Sequence, residues 1–111
     1  MILIVRIDTD PVLSFYRDAR ALPFSAGVSY RRLANVGTIR RPLQVGGGSE
    51  NANTSIAMDN GDGRLTALFA TPPFRRRAVI EDVSTGTAVR LFTGTVTRAT
   101  LGPEITLELE A

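Results

Sequence analysis

The first seven residues, Met1-Ile2-Leu3-Ile4-Val5-Arg6-Ile7, are apolar at every position but one. Apolar, β-branched side chains on both faces predict a strand covered on both sides. Asp8-Thr9-Asp10-Pro11 stops that run, and residues 12–16 are expected to return as a hairpin partner, because the residue before a proline is pushed out of the helical region. Residues 21–26 contain Pro23 and read as a loop. Residues 27–33 form the next strand candidate, with Val28, Tyr30 and Arg32 on one face. Residues 36–43 follow, with Pro42 marking an edge or a strand end. Gly46-Gly47-Gly48-Ser49-Glu50-Asn51 has no side chains to pack and is expected to be a long mobile loop.

Residues 53–60 alternate, with Ile56 and Met58 on one side and Ser55, Ala57 and Asp59 on the other. Asn60-Gly61-Asp62-Gly63 supplies two successive turn dipeptides. Leu65-Thr66-Ala67-Leu68-Phe69 predicts one short helical turn, closed by Pro72-Pro73. Residues 77–83 and 87–92 read as paired strands around Ser84-Thr85-Gly86. Residues 93–99 continue after Gly94, which marks a bulge or bend. After the Leu101-Gly102-Pro103 turn, Ile105, Leu107 and Leu109 point inward while Thr106, Glu108 and Glu110 point outward. The pattern predicts a single all-β domain over residues 1–111: a small antiparallel β-barrel or sandwich of about seven to eight strands, with at most one short helical turn. Nine valines and twelve threonines agree with it.

Composition narrows the chemistry. The 111 residues contain no cysteine, histidine, tryptophan or lysine, so all 13 basic residues are arginine. No thiolate, imidazole or amine is on hand for nucleophilic, acid–base or Schiff-base work, and no lysine for a P-loop. The chain is therefore expected to be no enzyme and to hold no metal or cofactor. A formal net charge of +2 lacks the one-signed excess of a dedicated nucleic-acid binder. The longest apolar run, the first five residues, is far short of the ~20 a bilayer helix needs. No basic segment precedes it, so no signal peptide and no membrane span are expected.

Each candidate site has a plain structural alternative. Asp59-Asn60-Gly61-Asp62-Gly63 suggests a calcium loop, but Gly61 and Gly63 occupy its third and fifth positions, which need oxygen ligands, so a tight turn is favoured. Gly46, Gly47 and Gly48 lack the lysine and helix start of a phosphate cradle. The carboxylates Asp8, Asp10, Asp18, Asp59, Asp62, Glu81, Asp82 and Glu104 lie mostly in turns and define no acid–base pair. The basic clusters Arg31-Arg32, Arg40-Arg41 and Phe74-Arg75-Arg76-Arg77 suit carboxylates and phosphates equally. A protein partner is the first expectation for them. The alternative is an oligonucleotide-binding barrel with Tyr16, Tyr30 and Phe74 stacking bases.

The order of features from Asn53 to Val96 carries a resemblance. Met58-Asp59-Asn60-Gly61-Asp62-Gly63, the apolar segment of residues 65–73 and Leu91-Phe92-Thr93-Gly94-Thr95-Val96 resemble a β-barrel module of tailed-bacteriophage tail-tip and baseplate hub proteins. In that family an L-D-N-x-D-G turn precedes a short apolar stretch and a strand pair ending L-F-x-G-x-V. Met58 here takes the first leucine position. The resemblance covers the C-terminal half and implies a structural subunit that binds other tail proteins and forms a homo-oligomeric ring. It implies a place in the virion tail, or in the bacterial cytoplasm before assembly. Arg31, Arg32, Arg40, Arg41, Gly46, Gly47, Gly48, Phe74, Arg75, Arg76 and Arg77 are the expected interface residues.

Overall fold

The computed structural model describes residues 1–37, 53–70, 73 and 75–111. Eight strands lie among them: β1 (Leu3–Ile7), β2 (Leu13–Tyr16), β3 (Val28–Tyr30), β4 (Leu33–Val36), β5 (Asn53–Asp59), β6 (Arg77–Asp82), β7 (Val89–Thr100) and β8 (Glu104–Glu110). A 3-10 helix, Ala19–Phe24, follows β2, and a five-residue helix α1, Arg64–Leu68, follows β5. All eight strands belong to one sheet, ordered β3-β2-β1-β6-β7-β8-β5-β4. The fold is all-β, built on this one eight-stranded sheet.

The sheet curls because its edge strands are joined in sequence. Only Arg31 and Arg32 separate the end of β3 from the start of β4, a reach of about 10 Å, whereas in a flat sheet the seven spacings between these edge strands would part them by about 34 Å. Strand sense shows how the wall closes. From β3 to β4 around the sheet there are one parallel step, β3 to β2, and six antiparallel ones. An even number of reversals gives β3 and β4 the same sense. They are thus two halves of one interrupted strand, the first bonded to β2 and the second to β5. The parallel β2–β3 pair departs from the all-antiparallel expectation, and the strand expected over residues 27–33 breaks at Arg31-Arg32, which removes Arg32 from the face of Val28 and Tyr30.

Alternation fills the barrel. Val5, Ile7, Leu13, Phe15, Ile56, Met58, Ala78, Ile80, Phe92, Val96, Ile105, Leu107 and Leu109 form one buried cluster. Leu65 and Phe69, from α1 and its C-terminal cap, belong to it. Two bulges keep β7 in phase. One shifts the register between the Ile80–Phe92 and Glu81–Arg90 pairs; the other shifts it between Val96 and Arg98, so Thr97 and Arg98 both face outward and Ala99 turns back toward the core. Gly94, expected to mark a bulge, is instead a site of close approach. A Cβ there would lie 2.6 Å from the Glu110 carbonyl oxygen and 2.7 Å from Phe92 Cε1. The two segments expected over residues 87–92 and 93–99 are therefore one long strand, Val89–Thr100.

The 3-10 helix explains why β1 is apolar on both faces. Ile2, Ile4, Tyr16, Ala21 and Val83 form a second cluster on the outside of the wall, with Phe24 packed against it. Residues 21–24 of the loop expected over residues 21–26 are helical because Asp18 caps the segment, accepting from the Arg20 N–H at 2.9 Å, and because Ala21 is buried in that cluster. Two short helical pieces therefore lie among the described residues, where at most one was expected. Two polar anchors hold this cover. Buried Ser14 donates to the Ala26 carbonyl at 2.6 Å and accepts from the Ala26 N–H at 2.9 Å. Arg6, ion-paired with buried Glu81, donates to the Phe24 carbonyl at 3.2 Å.

Gly27 enters β3 at φ +65°, and a Cβ there would meet the Val12 carbonyl oxygen at 1.9 Å. Gly63 has φ +73° but open space around it. Gly27→Ala is expected to cost more than about 2 kcal/mol, against roughly 1 kcal/mol for Gly63→Ala, which meets only the backbone penalty. Urea unfolding of both variants checks this; equal losses would refute the packed Val12–Gly27 contact.

Candidate interaction surface

The turn after β5 is a structural knot. Asn60 is buried, and its side chain ties three segments together. Its Nδ2 donates to Thr66 Oγ1 and to the Gly102 carbonyl, both at 2.9 Å, and its Oδ1 accepts from the Leu65 N–H at 2.8 Å. The Asn60 N–H donates to the Pro103 carbonyl at 2.9 Å. A buried amide with its hydrogen-bonding groups so matched locks α1 to the β7–β8 turn. Asp59 accepts from the Gly61 N–H at 2.9 Å. Asp62 accepts from the Arg64 N–H at 3.1 Å and from Arg32 Nη2 at 2.6 Å. These carboxylates are engaged by backbone and arginine, and the segment is the tight turn its sequence suggested.

The barrel interior is occupied by side chains. The Phe15 ring stacks on Tyr30 at 5.5 Å and on Phe69 at 6.0 Å. Tyr30 thus commits a ring face to the core, and Tyr16 is buried beneath the 3-10 helix. Neither is poised to stack on a base.

The wall, in contrast, carries an opening. β2 ends at Tyr16, opposite Ile4, and the chain then leaves the wall through Arg17 and Asp18 into the 3-10 helix. β4 continues the line of β3 past the point where β2 has stopped. Beyond Tyr16, therefore, β4 and the first residues of β1 face each other with no strand between them among the described residues. A groove of about 530 Å³ lies there, lined by Met1, Ile2 and Leu3 on one side and by Leu33, Ala34, Asn35 and Val36 on the other. Arg17, Asp18, Ala19 and Arg31 complete its rim. A second groove of about 440 Å³ shares Arg17, Arg31, Leu33 and Ala34 and adds Arg32, Asp59 and Glu104.

Of the residues singled out from sequence, Arg31 and Arg32 sit at this opening. Arg31 Nε donates to the Arg17 carbonyl at 2.9 Å, while Arg32 is held by Asp62. Arg75, Arg76 and Arg77 are exposed at the start of β6, with β2 and β1 lying between that strand and β3. They do not join the groove. Arg75 has a positive φ of 62°, with its N–H on the Val96 carbonyl at 2.8 Å, so this cluster is fixed by backbone pairing. Arg40, Arg41, Gly46, Gly47, Gly48 and Phe74 lie outside the described residues, as do most of residues 36–43 and all of residues 46–51. Sequence reading missed Arg17 because nothing marks it before the end of β2 is known.

Several carboxyls titrate low. The Arg20 guanidinium, then the Arg20 N–H, hold Asp18 down to about 2 from an ordinary 3.8. Arg32, then the Arg64 N–H, lower Asp62, and the Ser84 N–H lowers Asp82. Compared with protein families, curated proteins and solved structures, the chain finds no match.

Removing Asn60 leaves the Leu65 N–H and the Gly102 carbonyl without their partner. Asn60→Ala is expected to cost about 3 kcal/mol by chemical denaturation; a loss near zero would show that the knot carries no stability. A carboxyl whose folded-state pKa is depressed contributes stability above its unfolded pKa, and loses it as pH falls through the folded value. The thermal midpoint is therefore expected to fall between about pH 4 and pH 2. The fall should be smaller in Asp18→Asn, which keeps a cap but has no charge to titrate, and small in absolute size because the group is exposed. An identical acid profile in Asp18→Asn would contradict the Arg20 pairing.

Proposed function

We propose that this protein is a non-enzymatic structural subunit of a phage or prophage tail, of the tail-tip or baseplate-hub kind, acting by assembly with other tail proteins and with copies of itself. The observation that carries the reading is the run Met58-Asp59-Asn60-Gly61-Asp62-Gly63, followed by α1 and the β6–β7 pair: the features behind the family resemblance occur in order within one barrel. Two features support a role in contact. The interior is filled rather than hollow, and the polar groups of the motif are consumed in holding the fold. What is left for function is the outer surface, with exposed arginines at Arg31 and at Arg75, Arg76 and Arg77. Arginine is enriched at the energetic centres of protein interfaces.

The oligonucleotide-binding alternative loses support from the packing of Tyr16 and Tyr30, and from the Asp59 and Glu104 carboxylates beside Arg17, Arg31 and Arg32. Light scattering over a wide concentration range, together with pull-down by the products of neighbouring genes, tests the reading. The expected outcome is a ring or a stable complex with a tail protein. A strict monomer that captures none of those products, or tight binding of single-stranded DNA that weakens with salt, would overturn it.

A further inference from the structure

The opening beside β4 is the size of one strand. β3 lies two positions from β1 with β2 between them, and β4 extends β3, so β4 and the start of β1 are separated by about two inter-strand spacings, ~10 Å. Both sides offer backbone. The Gly37 N–H reaches the Ser55 carbonyl of β5 at 2.8 Å. Successive N–H groups of a strand point to opposite edges, so Val36 turns its own N–H and C=O into the opening. Ile2 accepts from the Val83 N–H at 2.8 Å on the β6 side, and beyond Tyr16 no strand pairs with the other side of β1 among the described residues. Leu3 and Val36, half-buried at the two lips, pack against the barrel core. Arg17 and Arg31 stand on the rim; of the carboxylates near them, Asp18 is bonded to Arg20 at 2.7 Å and Asp59 to the Gly61 N–H at 2.9 Å, while Glu104 lines the adjoining groove.

We propose that this slot receives an extended segment of another protein, about four residues of which complete the barrel wall in line with β2. The added strand runs antiparallel to β1 and parallel to β4, the same relations that β2 has to β1 and β3. Main-chain bonds supply affinity and alternate side chains supply specificity. Inward positions are apolar, to meet Leu3, Leu33 and Val36. Outward positions are acidic, to meet Arg17 and Arg31. A second copy is the poorer donor. Its own segment of that pattern, Glu104–Glu110, is β8, already paired on one side with β7 and on the other with β5. The inference deepens the assembly reading and rests on it only for the source of the strand.

The test uses the whole chain and a fluorescein-labelled six-residue peptide of alternating valine and glutamate, capped at both ends, with a lysine-for-glutamate counterpart. Fluorescence anisotropy is expected to show saturable binding of the acidic peptide and roughly tenfold weaker binding of the basic one. Val36→Pro removes an N–H that faces the slot and is not used by β5, a position where an edge strand tolerates proline. It should keep the thermal midpoint and abolish binding. If its midpoint falls, the Arg17→Glu, Arg31→Glu double variant carries the comparison, with acidic-peptide binding reduced roughly tenfold. No binding at millimolar peptide, or binding indifferent to the variants, would overturn the inference. So would displacement of the peptide by single-stranded DNA, or self-association abolished by Val36→Pro. Peptide binding is read on the isolated protein, so a protein that assembles but binds no peptide refutes the slot alone, and one that binds peptide but never assembles refutes the tail reading alone.

Discussion

The architecture depends on one stretch of backbone that bonds to two different strands. Val28–Tyr30 pairs with β2, and Leu33–Val36 pairs with β5, with Arg31 and Arg32 between. This hand-over joins the two edges of an eight-stranded sheet into a barrel with seven strand positions in its wall, since two of the eight strands occupy one position. Closure lets the alternating faces of β5, β6, β7 and β8 meet in one core. It also has a geometric consequence. Where β3 gives way to β4, the strand on the other side has to keep pace, and β2 does not: it leaves the wall at Arg17.

The hand-over and the outer cover are linked. The residues that leave the wall after β2 become the 3-10 helix that seals Ile4 and Tyr16, with Ser14 and Arg6 fixing it by hydrogen bonds to Ala26 and Phe24. Continuing β2 would close the slot but strip that cover from the outer face of β1. The opposite end shows another solution. There Tyr30, Phe15 and Phe69 stack in series, and α1, tied down by Asn60, places Leu65 in the core. One half of the interrupted strand is backed by aromatic packing, the other by an open groove.

Much of this was legible in the sequence where local pattern and environment agree. The inward set Ile105, Leu107 and Leu109, the alternation of β5 and the Asn60–Gly63 turn are each fixed by near neighbours in the chain. The 3-10 helix was missed because its signal, Asp18 as a cap ahead of Pro23, is weak until β1 is known to need a cover for Ile4. Arg32 was misplaced on a strand face because a two-residue interruption between strands of the same sense has no local signature. The bulges at Leu91 and Thr97 lie beside Gly94, yet Gly94 itself is needed for contact with Glu110, a partner 16 residues away that no local reading reveals. Of the candidate site, Arg31 was found from its cluster, while Arg17 depends on where β2 ends.

A partner-switching strand closes the barrel and leaves one edge of β4 without a strand partner among the described residues. Residue-resolved amide hydrogen exchange on the isolated protein tests it most directly. The account predicts slow exchange for Val28, bonded to the Val12 carbonyl at 2.8 Å, for Gly37, bonded to Ser55, and for Asp59, bonded to the Arg32 carbonyl at 2.7 Å. It predicts fast exchange for Val36, between two protected neighbours in the fold. A Val36 amide as slow as that of Gly37 would contradict it, because the slot would then already be filled by the chain itself.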